Sequence, residues 1–307
     1  MNDLPLVSII IPCYNRAEET VQAISSALRQ TYINTEIIVV DDGSNNETLT
    51  KLSSLKAPFK LLRHETNKGA NAARNTGLKS AHGKWIAFLD SDDTWDKNKI
   101  QIILENLLSQ PQYSLGYCSM YSIQGDSVKS KFNAVHSGNI YERLLEKNVV
   151  GSASIPIIKK DVLVKVNGFD EKLRSAQDWD LWLRIAEAGY SFLAIQDPMV
   201  YYKFPDSQQH ISGSEDAFWE GRKAFISKHF EKYKQGHTKA LGKVYSDTGF
   251  ILLNRFHNTH LSRRCFLKAL HFHKTRLKSW KGLLGTMMPL SLYKKFNQLE
   301  NTLGNHH

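Results

Sequence analysis

The chain opens on an apolar run, Leu6 to Ile11, rich in β-branched residues and stopped by Pro12; Glu36 to Val40 repeats the pattern and runs into Asp41-Asp42-Gly43. Runs this short and this apolar predict parallel strands buried on both faces. Between them Val21, Ile24, Ala27 and Leu28 recur at helical spacing within 17–32, so the stretch predicts β-α-β. A helix over 47–55, a strand over 59–63, a small-residue helix over 69–81 and a strand over 84–89 continue the alternation. An α/β domain with a doubly wound sheet follows, and such sheets bind ligands at the carboxyl ends of their strands.

Beyond Asp93 the rhythm changes. A helix over 97–108, a strand near 115–121, a Gly/Ser-punctuated stretch to Gly151, a turn at Gly168-Phe169-Asp170, a helix over 179–188 and short strands over 192–195 and 199–202 complete the body. From Ser214 the pattern is helical. A boundary near Gly213 therefore separates residues 1–213 from a C-terminal helical region, 214–307.

With 307 residues and 41% hydrophobic content the chain can bury a full core, and 23% charged with 10% aromatic residues argue against disorder as the dominant state. Charge is uneven. Gly221 to His307 carries 17 Lys/Arg against 3 Asp/Glu, while the preceding residues hold 23 against 27. A basic region of this kind suits an anionic surface, nucleic acid or a phosphorylated substrate, or is simply a solvated face. Cys13, Cys118 and Cys265 lie far apart without a C-x-x-C, which argues against a disulfide framework or zinc site and predicts a reducing compartment. No signal-peptide pattern opens the chain, and no run approaches the roughly 18 apolar residues of a membrane span, so a protein kept inside the cell is expected.

Three acidic clusters fall near one expected sheet edge: Asp41-Asp42, Asp90-Ser91-Asp92-Asp93, and Asp178 with Asp180. Gathered carboxylates repel unless a cation holds them, and Asp90 and Asp92 suit a hard, oxygen-ligated ion such as Mg²⁺ or Mn²⁺ bridging to a diphosphate. Strand termination and helix capping explain the same residues structurally. Asp90 to Thr94 also fits the D-x-D-x-T of haloacid-dehalogenase phosphatases, in which Asp90 is the nucleophile, although that motif belongs on the first strand of its domain.

Taken together, Val7-Ser8-Ile9-Ile10-Ile11-Pro12-Cys13-Tyr14-Asn15-Arg16, Ile38 to Ser44, Asn67-Lys68-Gly69 with Ala73-Arg74-Asn75, Asp90 to Asp93, Gly168 to Glu171 and Gln177 to Arg184 resemble glycosyltransferase family 2 in identity and order. The resemblance covers about residues 5–215. It implies a GT-A fold, a nucleotide-sugar donor, most naturally a UDP-sugar, and inverting transfer to an acceptor hydroxyl.

On that resemblance Pro12, Tyr14, Arg16, Asp41, Asp42, Asn67, Gly69, Arg74, Asp90 and Ser91 bind the nucleotide. Tyr14 stacks on the base, Asp42 accepts from uracil or ribose, and Arg74 reaches the nucleotide. A core aromatic is the structural reading of Tyr14, and a surface ion pair that of Arg74. Asp92, with Asp90 and His210, is the implied metal site, and Asp178 the implied catalytic base. Gln177 stands where the family has Glu, and Ser175 with Asp178 also reads as a capping box.

In the tail, Arg263, Arg264, Lys268, Lys274, Arg276, Lys278 and Lys281 interleave with apolar residues such as Phe266, Leu270, Trp280 and Leu284. This is a basic amphipathic pattern suited to an anionic membrane surface or to packing on the body. Membrane attachment accords with a glycan or lipid-linked glycan acceptor, as in the bacterial surface-polysaccharide assembly of similar enzymes. Nucleic acid is not expected as a partner, because no recognised module accompanies the charge. A non-catalytic nucleotide-sugar-binding protein remains an alternative.

Overall fold

The computed structural model describes residues 4–125, 127–203, 214–289 and 292–293. It divides into two compact units, Met1–Leu144 with Asn148–Ile211, and Leu145–Lys147 with Ser212–His307.

In the first unit β1 (Val7–Cys13), β2 (Thr35–Asp41), β3 (Lys60–Arg63) and β4 (Trp85–Phe88) pair in parallel in the order β3-β2-β1-β4, with α1 (Ala17–Leu28), α2 (Asn46–Ser54) and α3 (Ala70–Ser80) as crossovers. The second half of the sheet is mixed: β8 (Ile157–Lys159) is antiparallel to β4 and β6 (Tyr113–Gln124), and β6 runs parallel to β9 (Ser191–Lys203). β5 (Asp93–Trp95) closes one edge against β9, and β7 (Ser127–Phe132) pairs with β6. The remaining helices are α4 (Lys99–Ser109), α5 (Tyr141–Glu146), α6 (Lys160–Lys165) and α7 (Gln177–Glu187).

Three of the boundaries that differ from the sequence expectation have a visible cause. The first helix stops at Leu28 rather than Tyr32, because the Thr31 amide leaves the helix for the Lys97 carbonyl. The two strands expected over 192–195 and 199–202 are one strand, β9, whose register against β6 skips from Ile195 to Pro198, so a bulge absorbs the irregularity. The first strand continues through Pro12 to Cys13. Cys13 gives its carbonyl to Asp42 on the β2 side, and Ile10 gives its carbonyl to Leu89 on the β4 side. By alternation Pro12 faces β4, where pairing has ended, so its missing N–H breaks no ladder bond. Beyond Ile10 and Phe88 the two strands no longer pair, and the carboxyl ends of β1 and β4 are where an open sheet of this order has its ligand crevice.

Every residue of β1 is buried, and burying a side chain such as Ile9, Ile10 or Ile11 contributes about 1.5–3 kcal/mol. α3 lies close on this strand through small residues. A Cβ at Gly77 would stand 2.3 Å from Cγ2 of Ile10, which is fully buried. Gly77→Ala should therefore destabilise the protein by about 1–3 kcal/mol despite alanine's better helix propensity, measured by urea denaturation.

The second unit contains α8 (Glu215–Lys234), α9 (Thr238–Asn254), α10 (Thr259–Phe272) and α11 (Leu277–Gly285). Ser214 caps α8 by accepting from the Ala217 amide at 3.2 Å, and Asn258 caps α10 by accepting from Leu261 at 2.8 Å. Leu253, Phe266, Leu270, Leu283 and Tyr293 form its core. No helix among the described residues is long and apolar enough to cross a membrane.

Candidate active site

The crevice is built from four loops. After β1, Tyr14 projects, 45% exposed, and Asn15 turns the chain at φ 50°. The Asn15 amide donates to Ser44 Oγ (2.9 Å), and Asn15 Oδ1 accepts from the Asn45 amide (2.8 Å), so the loops after β1 and β2 are fixed to each other. A non-glycine residue in the left-handed region is the kind of strain that binding loops retain. Pro12 is buried in the strand beneath.

Asp41 and Asp42 sit inside this frame. Asp41 is fully buried, accepts from the Ser44 amide and faces the Arg63 guanidinium at 3.4 Å. Asp42, 2% exposed, accepts from the amides of Lys68 (2.9 Å) and Gly69 (2.7 Å) and pairs with His64 Nδ1 (2.7 Å). These bonds tie the end of β2 to the start of α3, where Gly69 adopts φ 94° and Asn67 Oδ1 also accepts from its amide. The Asp42 carboxylate is thus spent inward. It shapes the loop over which a nucleotide would lie.

Arg74, on α3 and 4% exposed, is no surface ion pair. Its Nη2 donates to Asp90 Oδ1 (2.5 Å), its Nη1 to Asn71 Oδ1 (3.2 Å), and its guanidinium lies 5.1 Å from the Phe169 ring centroid. Against the desolvation that lowers its pKa, the carboxylates of Asp90 and Asp178 raise it, so it stays a cation. The next turn of α3 holds the Gly168–Leu173 segment: Asn71 donates to the carbonyls of Asp170 and Leu173, and Asn75 exchanges two hydrogen bonds with the backbone of Phe169. Two motifs about a hundred residues apart in sequence thus form one unit with Arg74 at its centre.

The loop after β4 carries the D-x-D. The Asp90 amide donates to Ser154 Oγ (3.0 Å), Asp92 pairs with Arg16, and Ser91 is buried. Asp93 is 1% exposed, and neither of its buried oxygens has a hydrogen-bond partner. Burial first, then the neighbouring charges of Asp92 and Asp90, push its pKa well above the usual carboxylate range, with Ser154 in partial opposition.

Asp178 completes the crevice at the second position of α7. That helix starts from Ala176 in the left-handed region at φ 59°, and no side chain caps it, so the capping box expected from Ser175 is not formed. The half-buried Asp178 has one oxygen, Oδ1, shut from solvent and without a hydrogen-bond partner. Desolvation pushes its pKa up to about 7, with Arg74 pulling down and Asp90 pushing up. The rest of its motif is structural. Trp179 Nε1 donates to the Leu144 carbonyl, Trp182 Nε1 to Gly151, and Arg184 pairs with the fully buried Asp180 at 2.8 Å.

The structure therefore brings Arg16, Arg74, Asp90, Asp92 and Asp178 into one electrostatic group and ties Asp41 to the loop after β2 and Asp42 to the start of α3. His210 lies outside the described residues. The sequence assigned no site role to Ser154, Phe169, Asn71 or Asp93. Phe169 and Asp93 lie inside the family motifs and Asn71 between two of them, so each could have been found there; Ser154 carries no local signal.

Could these residues hold a divalent ion? No group of three or more His, Cys, Asp or Glu among the described residues is arranged to do so alone. Mg²⁺, however, is commonly held by one or two carboxylates with the remaining positions filled by substrate phosphates and water. Asp90 and Asp92 supply that donor set. Burial and then the charges of Asp92 and Asp90 raise the pKa of Asp93 beside them, and a cation held by Asp90 and Asp92 would relieve that repulsion. The residues fit the ion.

A mixed sheet with this crevice and a D-x-D loop defines a GT-A glycosyltransferase fold. The crystal structure of S. aureus TarS 1-349 in complex with UDP-GlcNAc matches it at a TM-score of 0.62, covering 95% of this chain and 91% of that one, with 19% identity, a likeness of fold. Residues 8–163 match Glycosyl transferase family 2, and the chain belongs to that family. An Escherichia coli protein described as UDP-Glc:alpha-D-GlcNAc-diphosphoundecaprenol beta-1,3-glucosyltransferase WfgD is 38% identical over 211 residues, 68% of this chain and 80% of that protein. A Rickettsia felis glycosyltransferase is 37% identical over 184 residues, 59% of this chain but 30% of that one, so the chain spans only about a third of that relative's length.

Proposed function

We propose that the protein is an inverting glycosyltransferase that moves a sugar from a UDP-sugar to a hydroxyl of a lipid-linked glycan in bacterial surface-polysaccharide assembly. The observation that carries this reading is Asp178, a carboxylate with an unsatisfied oxygen in the electrostatic field of the Arg74–Asp90 pair at the mouth of the crevice. Its pKa of about 7 suits a general base at neutral pH. Asp178 takes the acceptor hydroxyl's proton as that oxygen bonds the anomeric carbon from the face opposite the diphosphate, and the sugar–phosphate bond breaks to release UDP. Asp90 and Asp92 would hold Mg²⁺ or Mn²⁺, which when bound supplies positive charge to the departing β-phosphate. Arg74 orients Asp90, and the exposed Tyr14 ring offers a stacking face for the base. The names of WfgD and of the TarS complex support the UDP-sugar and diphospholipid parts of the reading.

The helical unit supports a peripheral membrane site. On α11 and the residues after it, Leu277, Trp280, Leu284 and Met287 form a stripe at helical spacing that is 50–83% exposed, interleaved with Lys278 and Lys281. That is the pattern of a helix lying in a bilayer interface.

Calorimetric titration of UDP, GDP, CDP and dTDP with and without Mn²⁺ tests the donor site. UDP should bind most tightly, and Asp92→Ala should weaken Mn²⁺-dependent binding at least about tenfold, or ~1.4 kcal/mol, with metal-free affinity unchanged. Phosphate release from sugar phosphates with no nucleotide binding would point instead to the D-x-D-x-T phosphatase.

A further inference from the structure

The second unit contains a cleft of about 420 Å³ between α8 and α10, floored by α9. Trp219, Ile226 and Phe230 fall on one face of α8 at helical spacing, and Tyr245 rises from α9. Ile226 and Tyr245 are buried, 5% and 7% exposed, while Trp219 and Phe230 form half-exposed walls. The interior is apolar.

The rim is cationic. Lys223 comes from α8, and Arg264 and Lys268 stand one turn apart on α10. Lys223 pairs with Glu220 at 2.6 Å, but Arg264 and Lys268 have no carboxylate partner among the described residues. Glu231, the one acid lining the cleft, is paired with Lys234 at 2.9 Å. The rim therefore holds uncompensated positive charge over an apolar floor.

An apolar ligand would leave Arg264 and Lys268 unmatched, and a small soluble anion would not use the floor. Stacked nucleobases are disfavoured because the ring faces are taken: Lys223 lies 5.6 Å over Trp219, Lys268 lies 5.1 Å over Tyr245, and Tyr245 also stacks on Phe272 at 5.9 Å. Leu267, next to Lys268 on α10, is 53% exposed.

From this complementarity we propose that the cleft between α8 and α10 binds one anionic membrane lipid, its phosphate on Arg264 and Lys268 and the first segment of its chain against Ile226 and the ring edges of Phe230 and Tyr245. The inference rests on reading the helical unit as the membrane-facing part of the protein. It adds a discrete lipid site to the general attraction of basic helices for an anionic surface.

The full chain is tested by flotation with phosphatidylcholine vesicles, with and without phosphatidylglycerol. Wild type should bind the anionic vesicles, and Arg264→Gln with Lys268→Gln should weaken that binding roughly 10–30-fold. Ser227→Gln fills the cleft with a neutral, polar side chain and should weaken it similarly. Lys56→Gln with Lys79→Gln removes equal charge from exposed positions of the first unit and should cost no more than about twofold, as expected of charges outside the basic helical unit. Binding by wild type with no separate effect of the cleft variants would overturn the lipid site and leave the membrane reading standing. No binding by any form would overturn both. Glycerol 3-phosphate bound as tightly as vesicles, or RNA binding lost in the cleft variants while vesicle binding persists, would assign the cleft to another ligand. UDP affinity and sugar transfer in the same variants report separately on the transferase reading.

Discussion

Asp178→Asn should lower kcat by about 10²–10⁴-fold, the range general-base catalysis contributes, while UDP affinity measured by calorimetry stays within about twofold, as expected of a group acting on the transition state. Asn keeps the shape and loses the proton acceptor. In the wild type, activity should rise with pH through about 7 as Asp178 loses its proton, and the variant's residual rate should lose that limb. Burial sets this titration first, with Arg74 from α3 pulling it down and Asp90 from the loop after β4 pushing it up. Stability carries the opposite sign. Because the folded-state pKa lies above the ordinary aspartate range, the folded protein holds a proton that the unfolded chain releases, so this contribution is present at low pH and is lost as pH rises through about 7. Asp178→Asn should therefore raise Tm at pH 8 and change it little at pH 4. Full activity in Asp178→Asn, or a loss of UDP affinity equal to the loss of kcat, would remove the residue from the base role.

The crevice was legible because its residues lie directly after strands, where an apolar run gives way abruptly to Asp, Asn or Gly: Cys13 into Tyr14-Asn15, Val40 into Asp41-Asp42, Leu89 into Asp90. Such punctuation is local and survives folding. What each carboxylate does was less legible, because partners decide it. Asp42 reads as a ligand-facing acid, yet its oxygens go to His64 and to the amides of Lys68 and Gly69, groups brought near by the pairing of β2 with β3 and the entry into α3. Asp178 and Asp180 look alike in sequence, and only the helical turn separates them, one toward the crevice and the other onto Arg184. The bulge that makes β9 one long strand is invisible to alternation, because Gln196 and Asp197 read as a break. The mixed half of the sheet was hidden for a related reason: β8 is three residues long, and its direction is fixed by β4 and β6 rather than by its own pattern.

Arg184→Ala should destabilise the protein by about 3–5 kcal/mol, the cost of stranding a buried charge by removing its partner. Arg184 donates to Asp180, which is fully buried, and to the carbonyls of Val166 (2.5 Å) and Gly168 (2.7 Å). Those carbonyls belong to the turn that leads into Phe169, whose ring underlies the Arg74 guanidinium. Removing Arg184 thus takes the ionic partner from a buried carboxylate and one donor from each of two carbonyls, and loosens the segment that α3 grips from the other side through Asn75. The double variant Asp180→Ala/Arg184→Ala no longer carries the stranded charge. It should be more stable than Arg184→Ala alone, with a coupling of about 1–3 kcal/mol in a double-mutant cycle. Urea denaturation of the four proteins measures this. Two carboxylates two residues apart on one helix then differ in sign: neutralising Asp178 relieves a desolvated charge at neutral pH, whereas breaking the Asp180 pair exposes one. Equal stability of Arg184→Ala and wild type, with activity lost, would move Arg184 from holding the turn to acting in the crevice itself.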